Sequence, residues 1–239
     1  VVTETIRVRA AGVQIKRGIY RDFPQLYRGS WGLNQRAGFE VVSVSRDGQP
    51  EPFHLEKKSN GQRVYFGSAA VMLKPGEYTY RMTYRTDRQL GFFADHDELY
   101  WNATGNGWAF PIDHATATVC LPQNCPVRSA EAYTGPQGGK GRDYTVTRPT
   151  PDTAAFATTS ALAANEGLTI VVAWPKGHVA AESRRDMWLL MASDNPGLAM
   201  AVAGLVLVLF YYLIVWMLVG KDPPKGVIIP RYEPPKGFS

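Results

Sequence analysis

Four consecutive polar residues, Asp95-His96-Asp97-Glu98, lead into Tyr100, Trp101 and Asn102, and Trp108 follows closely. Carboxylates beside indole and phenol rings suit two kinds of chemistry. Aromatic faces stack on sugar rings while carboxylates take up their hydroxyls, and two carboxyl groups across one cleft can cleave a glycosidic bond. A carboxylate cluster can also hold Ca²⁺, which takes roughly six to eight oxygen ligands, but the spacing here is not that of a helix–loop–helix calcium site. The plainer reading of the same segment is a polar loop with buried aromatic side chains. A second cluster lies at Arg17, Tyr20, Arg21 and Asp22. Two arginines four positions apart beside an aspartate can clamp an anion or carboxylate on a partner. They can equally staple their own loop by pairing with Asp22.

Other chemistry finds no footing. There is no Gly-x-Ser-x-Gly, and neither cysteine sits in a recognisable Cys/His setting, so no catalytic residue is assigned. Gly135–Arg142 is glycine-rich and basic, yet it lacks the spacing of a phosphate loop and the Ser or Thr after its Lys, and it reads as an exposed loop. His54, His114 and His178 stand alone. Asn102-Ala103-Thr104 fits the glycosylation acceptor pattern, which is frequent by chance. Cys120 and Cys125 are the only cysteines, with no second pair to complete a zinc site. They form either a small disulfide loop, which requires a place outside the cytoplasm, or two reduced thiols; their spacing leaves both open. No cofactor is expected. A net charge of +5 over 239 residues, without any run of Lys or Arg, gives no footprint for nucleic acid.

The elements that must position these residues read as β. Tyr78, Tyr80, Met82 and Tyr84 alternate with Thr79, Arg81, Thr83 and Arg85, the period of a half-buried strand. Further strands are expected at Thr3–Arg9, Phe39–Arg46, Pro52–Lys58, Gln62–Gly67, Ala115–Leu121, Thr153–Thr159 and Leu168–Trp174. Turn pairs punctuate them at Asp47-Gly48, Asn60-Gly61, Pro75-Gly76 and Gly135-Pro136. Asn60-Gly61 marks a hairpin in which both residues tolerate positive φ. Many short antiparallel strands without a long amphipathic helix between them predict an all-β fold, an antiparallel β-sandwich. Residues 1–182 suffice for one domain or two closely packed subdomains.

The end of the chain reads differently. Leu198–Val219 is 22 residues without a charge. At 1.5 Å per residue it is about 33 Å long, enough for a hydrocarbon core of about 30 Å. Asn195-Pro196-Gly197 precedes it, Gly220-Lys221-Asp222-Pro223-Pro224 follows it, and Trp216 lies where an interfacial indole is expected. A single transmembrane α-helix at 198–219 is predicted, with the lipid bilayer as its partner. Residues 183–197, carrying Met187, Trp188, Leu189, Leu190 and Met191, form a juxtamembrane connector or an interfacial helix. Lys221, Lys225, Arg231 and Lys236 follow the helix, whereas only Arg184 and Arg185 precede it within a comparable distance. That bias puts the Pro-rich basic segment 220–239 in the cytoplasm and the β-rich part outside. A signal peptide removed before Val1 is the simplest companion to this topology.

Several motifs act together as a signature. Arg17-Gly18-Ile19-Tyr20-Arg21-Asp22-Phe23-Pro24 is the first. Arg85–Phe93 and Asp97–Asn106 continue it, and Gly220-Lys221-Asp222-Pro223 and Ile228–Pro235 close it. With these the chain resembles the bacterial membrane-protein family known as domain of unknown function number 2207, or YciQ-like. The resemblance implies a signal peptide, an ectodomain, a transmembrane helix in the plasma membrane and a further C-terminal region, and it implies no established activity. It also implies a membrane-protein partner, with LemA-type proteins suggested by gene neighbourhood. The leading expectation is an envelope-anchored binding or assembly module, a subunit of a membrane complex or a homo-oligomer. A glycan-binding or glycan-hydrolysing protein built on Asp95–Trp108 is the alternative. Ala199, Ala201, Ala203 and Gly204 would allow close helix packing, or simply face lipid.

Overall fold

The structure, a computed structural model, describes residues 1–29, 32–220 and 226. The predicted segment 220–239 therefore lies, apart from Gly220 and Gly226, outside the described residues.

Nine strands make the first half of the β-rich part: β1 (Val2–Ala10), β2 (Ile19–Pro24), β3 (Leu26–Arg28), β4 (Asn34–Arg36), β5 (Phe39–Arg46), β6 (Gln49–Pro50), β7 (Phe53–Lys58), β8 (Gly61–Phe66) and β9 (Gly76–Thr86). They build sheets in the orders β1-β9-β5-β6 and β2-β8-β7, with β3-β4 as a separate hairpin. Inward residues of the two larger sheets meet in one core, where Phe23 of β2 lies edge-on to Tyr84 of β9 at 5.0 Å and Phe66 of β8 to Tyr80 at 5.8 Å. The aromatic stripe of β9 is thus core, with Tyr80, Met82 and Tyr84 buried. Burial of such rings is the main favourable term holding the sheets face to face.

The second half contains β10 (Leu90–Phe92), β11 (Asp97–Asn102), β12 (Thr116–Cys120), β13 (Ser129–Gly135), β14 (Tyr144–Thr150), β15 (Thr153–Thr158) and β16 (Gly167–Trp174). Sheets β10-β11-β16-β13 and β12-β15-β14 enclose a second core around Phe156, Leu168, Ile170, Val172 and Trp174. Trp101 of β11 packs against both cores. All pairings between these strands are antiparallel, as the sandwich expectation required. The hydrophobic interior of this single compact unit is divided into two clusters.

One expected turn is found as placed and another differs in detail. Asp47-Gly48 is the hairpin turn with positive φ at both residues, 51° and 81°, joining β5 to β6. In the β7–β8 hairpin the two-residue connection is Ser59-Asn60, and Gly61 already belongs to β8 opposite Lys58. Gly61 is glycine because β2 runs against it: a Cβ there would stand 2.0 Å from the Phe23 carbonyl oxygen.

Two helices follow the strands: α1 (Arg184–Asp194) and α2 (Pro196–Leu218). Ser183 caps α1 through its hydroxyl, which accepts from the Asp186 N–H at 3.1 Å while donating to the Asp186 carboxylate at 2.6 Å. Compact unit one spans Val1–Asp194 and so includes α1, whereas Asn195 opens the second unit. Helix α2 starts with Pro at its first turn, runs 23 residues, and has no side chain buried by protein. It is long and apolar enough to cross a bilayer.

Candidate functional site

The Arg17–Pro24 motif is not the loop expected. Its residues from Ile19 onward form β2, with Ile19, Arg21 and Phe23 inward and Tyr20 and Asp22 outward. The alternation sends the two arginines and the aspartate to different places. Arg17 is exposed before the strand. Arg21 is buried, 6% exposed, and grips Glu4 of β1 with two bonds: Nε at 3.0 Å and Nη2 at 3.2 Å. Tyr84 donates to the same carboxylate at 2.8 Å. Burial alone would lower the Arg21 pKa, but the Glu4 carboxylate outweighs it and the guanidinium titrates above its ordinary value. Burial, followed by the Glu4 charge, raises the Tyr84 phenol.

Nη2 of Arg21 also donates to the Ala103 carbonyl at 3.1 Å. The loop after β11 comes so close that a Cβ at Gly105 would stand 1.8 Å from Arg21 Nη1. Gly105 has φ +74°, where a side chain would be strained in any case. Asn102 accepts from the Gly105 N–H at 2.8 Å and donates to Asn106. Trp108 Nε1 donates to the Thr104 carbonyl at 2.9 Å, and Thr104 in turn accepts from the Leu168 N–H at 2.8 Å. Two of the signature motifs therefore meet: Arg21 from the first half of the β-rich unit holds the Asn102–Trp108 loop of the second.

Asp22 faces the opposite way. Its carboxylate takes Arg63 of β8 in a two-bond pair at 2.6 and 2.8 Å, and the Arg63 guanidinium lies 3.9 Å from the Tyr20 ring centroid. Bonding to Asp22 raises the Arg63 pKa. Tyr65 continues this surface ladder, stacked on His54 at 4.4 Å and donating to Glu56 at 2.7 Å. Tyr20 and Asp22 are thus held on an exposed sheet face.

The acidic segment is likewise mostly strand. Asp97 and Glu98 are neighbours on β11, and neighbours on a strand point to opposite faces. Asp97 is buried at 1% exposure, where it accepts from Lys176 Nζ at 2.8 Å; Lys176 also binds the Phe93 carbonyl. Asp95 is exposed and sits 2.7 Å from His96 Nδ1 and 3.0 Å from Arg128. Hydrogen bonding from His96, and then from Arg128, lowers its pKa. Glu98 is 3.7 Å from His96 Nε2, and Phe93 stacks on the same imidazole at 4.8 Å. A shallow hollow of about 180 Å³ lies at Asp95, His96, Arg128, Ser129 and Ala173, with no tryptophan in its wall. Trp101 packs at the two cores and Trp108 in the first. The structure thus brings Asp95 and Glu98 together around His96 and separates them from Asp97, Trp101 and Trp108. Among the described residues, no group of three or more His, Cys, Asp or Glu side chains is placed to hold a metal ion.

Cys120 is exposed and Cys125 is buried, and both are free thiols in the structure. Burial, with the nearby Asp97 and Asp152 charges, raises the Cys125 pKa. A larger hollow of about 300 Å³ lies beside the glycine-rich loop, between Lys140, Asp143 and Glu166.

Several residues that hold this arrangement carry no motif in the sequence. Glu4, Arg63, Arg88, Arg128 and Lys176 are its charged partners. Glu4 left a signal: it occupies an inward slot of β1 between Val2 and Ile6, where a charge needs a buried partner.

The profile of the family described as Predicted membrane protein (DUF2207) N-terminal domain matches residues 1–174, most of the chain and β1 to β16. The chain belongs to this family. The uncharacterized protein YciQ of Escherichia coli (strain K12) is 31% identical over 144 residues, which is 59% of this chain and 23% of that protein. The chain thus aligns with under a quarter of that relative's length. No solved structure matches the chain significantly. In the DUF2207 signature, then, Arg21 and the Asn102–Asn106 run include residues that bind each other across the fold, and the apolar helix α2 agrees with the family's description as membrane proteins.

Proposed function

We propose that this DUF2207 chain is an extracytoplasmic module, anchored in the plasma membrane by α2, that binds a membrane-protein partner through an open sheet edge. The observation that carries the reading is β7. It is the outer strand of β2-β8-β7, and Phe53, His54, Leu55, Glu56 and Lys57 are all exposed. Register places Phe53 and Leu55 beside the buried Phe66 and Val64, on the core-facing side of the sheet. They are 40% and 47% exposed because, among the described residues, no further strand covers them. An uncovered edge with apolar side chains at alternate positions suits β-strand addition: main-chain groups give affinity and the Phe53 and Leu55 sites give selectivity.

The orientation rests on four Lys or Arg after the helix against two before it. A LemA-type partner is the first candidate, through the family's gene neighbourhood; a homo-oligomer is the second. The glycan alternative loses support from the separation of Asp97, Trp101 and Trp108 from Asp95 and Glu98, since acid–base cleavage needs two acids across one cleft.

A photo-crosslinking residue at Leu55 of the full chain in native membranes tests the proposal, with one at Tyr100 as comparison. A defined protein adduct at Leu55, lost on Phe53→Glu, is expected. Recovery of the uncrosslinked chain alone at both positions would contradict it.

A further inference from the structure

Helix α1 carries a second uncovered face, and its place in the chain identifies what covers it. Leu190, Met191 and Asp194 are half-buried, and α1 packs on β4. Asp194 fixes the end of the helix: its carboxylate accepts from the Arg36 N–H at 3.1 Å and from Arg88 Nη1 at 2.7 Å. Arg88 is bonded in turn to the Arg36 carbonyl at 2.8 Å. The helix therefore belongs to the folded unit and does not hang from it.

The opposite stripe is made by Arg185, Trp188, Leu189 and Ala192, spaced i, i+3, i+4 and i+7. Trp188 is 61% exposed and Leu189 60%. An indole and a leucine side by side on a helix that buries nothing on that face would cost solubility if they met water. One residue, Asn195, separates α1 from α2, so the first turn of a bilayer-crossing helix begins within two positions of Asp194. A chain spans at most about 3.6 Å per residue, which keeps the end of α1 at the height of the lipid headgroups.

We infer that the Arg185/Trp188/Leu189/Ala192 face of α1 rests in the bilayer interface. Trp188 and Leu189 enter the headgroup–acyl boundary, and Arg184 and Arg185 meet lipid phosphates. An interfacial indole with flanking arginines is the composition such a surface takes up. The Arg88–Asp194 contact ties the end of α1 to the strands within the same unit. This inference rests on the membrane-anchor reading of α2.

The test is collisional accessibility of spin labels on the full chain in nanodiscs of phosphatidylcholine and phosphatidylglycerol, in a Cys120→Ser background. Labels replace Trp188, Leu189 or Ala192 on the proposed lipid face, Asp186 or Ser193 beside it, Tyr100 on the exposed sheet, and Leu207 in α2. The expected result is that labels at 188, 189 and 192 lose severalfold in accessibility to a water-soluble nickel chelate relative to 100, while keeping access to oxygen. Labels at 186 and 193 should stay near the value at 100. Equal nickel access at 188, 189 and 100 would overturn the inference. So would protection from both reagents with spin–spin broadening, which would mean that a second copy covers the face. The Leu207 label separates the two readings: water access there would remove the anchor itself, whereas lipid burial at 207 with exposure at 188 and 189 would remove only the interfacial helix.

Discussion

Arg21 brings a full charge into a strand position whose neighbours, Ile19 and Phe23, fill the same face with hydrocarbon. Such a charge is tolerated because Glu4 neutralises it and the Tyr84 hydroxyl and Ala103 carbonyl use the remaining bonding capacity. Removing one member leaves the other buried and uncompensated, so Arg21→Met should cost about 3–5 kcal/mol in denaturant unfolding of the purified chain. Adding Glu4→Gln, which removes the orphaned charge but keeps an acceptor for Tyr84, should recover part of that loss; equal stability of single and double variants would contradict the account. The cysteines give a second residue-scale test. The folded Cys125 pKa lies above its unfolded value, so the neutral thiol favours the native state below the unfolded value. That contribution is lost as pH rises through the folded value. Alkylation near about pH 8 should therefore modify Cys120 in the native chain and Cys125 only after unfolding. Equal rates at both would mean that Cys125 is accessible.

At the scale of elements, legibility in the sequence followed apolar alternation. The strands β5, β7, β8, β9, β15 and β16 are legible to within a residue or two because their inward positions are hydrocarbon or aromatic. Strands β2 and β11 look like loops in the sequence because Arg21 and Asp97 stand at inward positions and break the pattern; nothing local discloses that Glu4 and Lys176 stand elsewhere in the sequence to pair with them. Strand β14 gave no signal because it is exposed on both faces except at Tyr144. The candidate site fared the same way: the motifs were visible, but which side of a strand each residue faces, and hence which residues meet, depends on register. Close strand approach gives a further expectation. Gly61→Ala should push β8 from β2 and cost about 1–3 kcal/mol, read as a lower denaturant midpoint; an unchanged midpoint would show that the two strands can separate freely. Arg88→Ala removes the side-chain partner of Asp194 and should speed hydrogen exchange through α1 while leaving β9 and β16 protected. Unchanged exchange in α1 would mean that its contact with β4 suffices.

The whole molecule pairs a β-rich unit containing two hydrophobic cores with an uncharged helix of 23 residues that protein does not cover. The Arg21 contact with the Asn102–Trp108 loop links the halves of the β-rich unit, so these signature residues serve architecture, and the edge proposed above for a partner lies elsewhere, at β7. The placement of that unit outside the cytoplasm underlies the proposed partner binding, whereas the proposed interfacial helix rests on the membrane anchor alone. The exposed thiol of Cys120, beside a buried Cys125, supplies a natural reporter for it. Membrane vesicles of defined orientation, treated with a membrane-impermeant maleimide, decide the matter. Right-side-out vesicles should label at Cys120, and inside-out vesicles should label only after detergent is added. Labelling in inside-out vesicles alone, or release of the chain by a high-salt wash, would contradict the account.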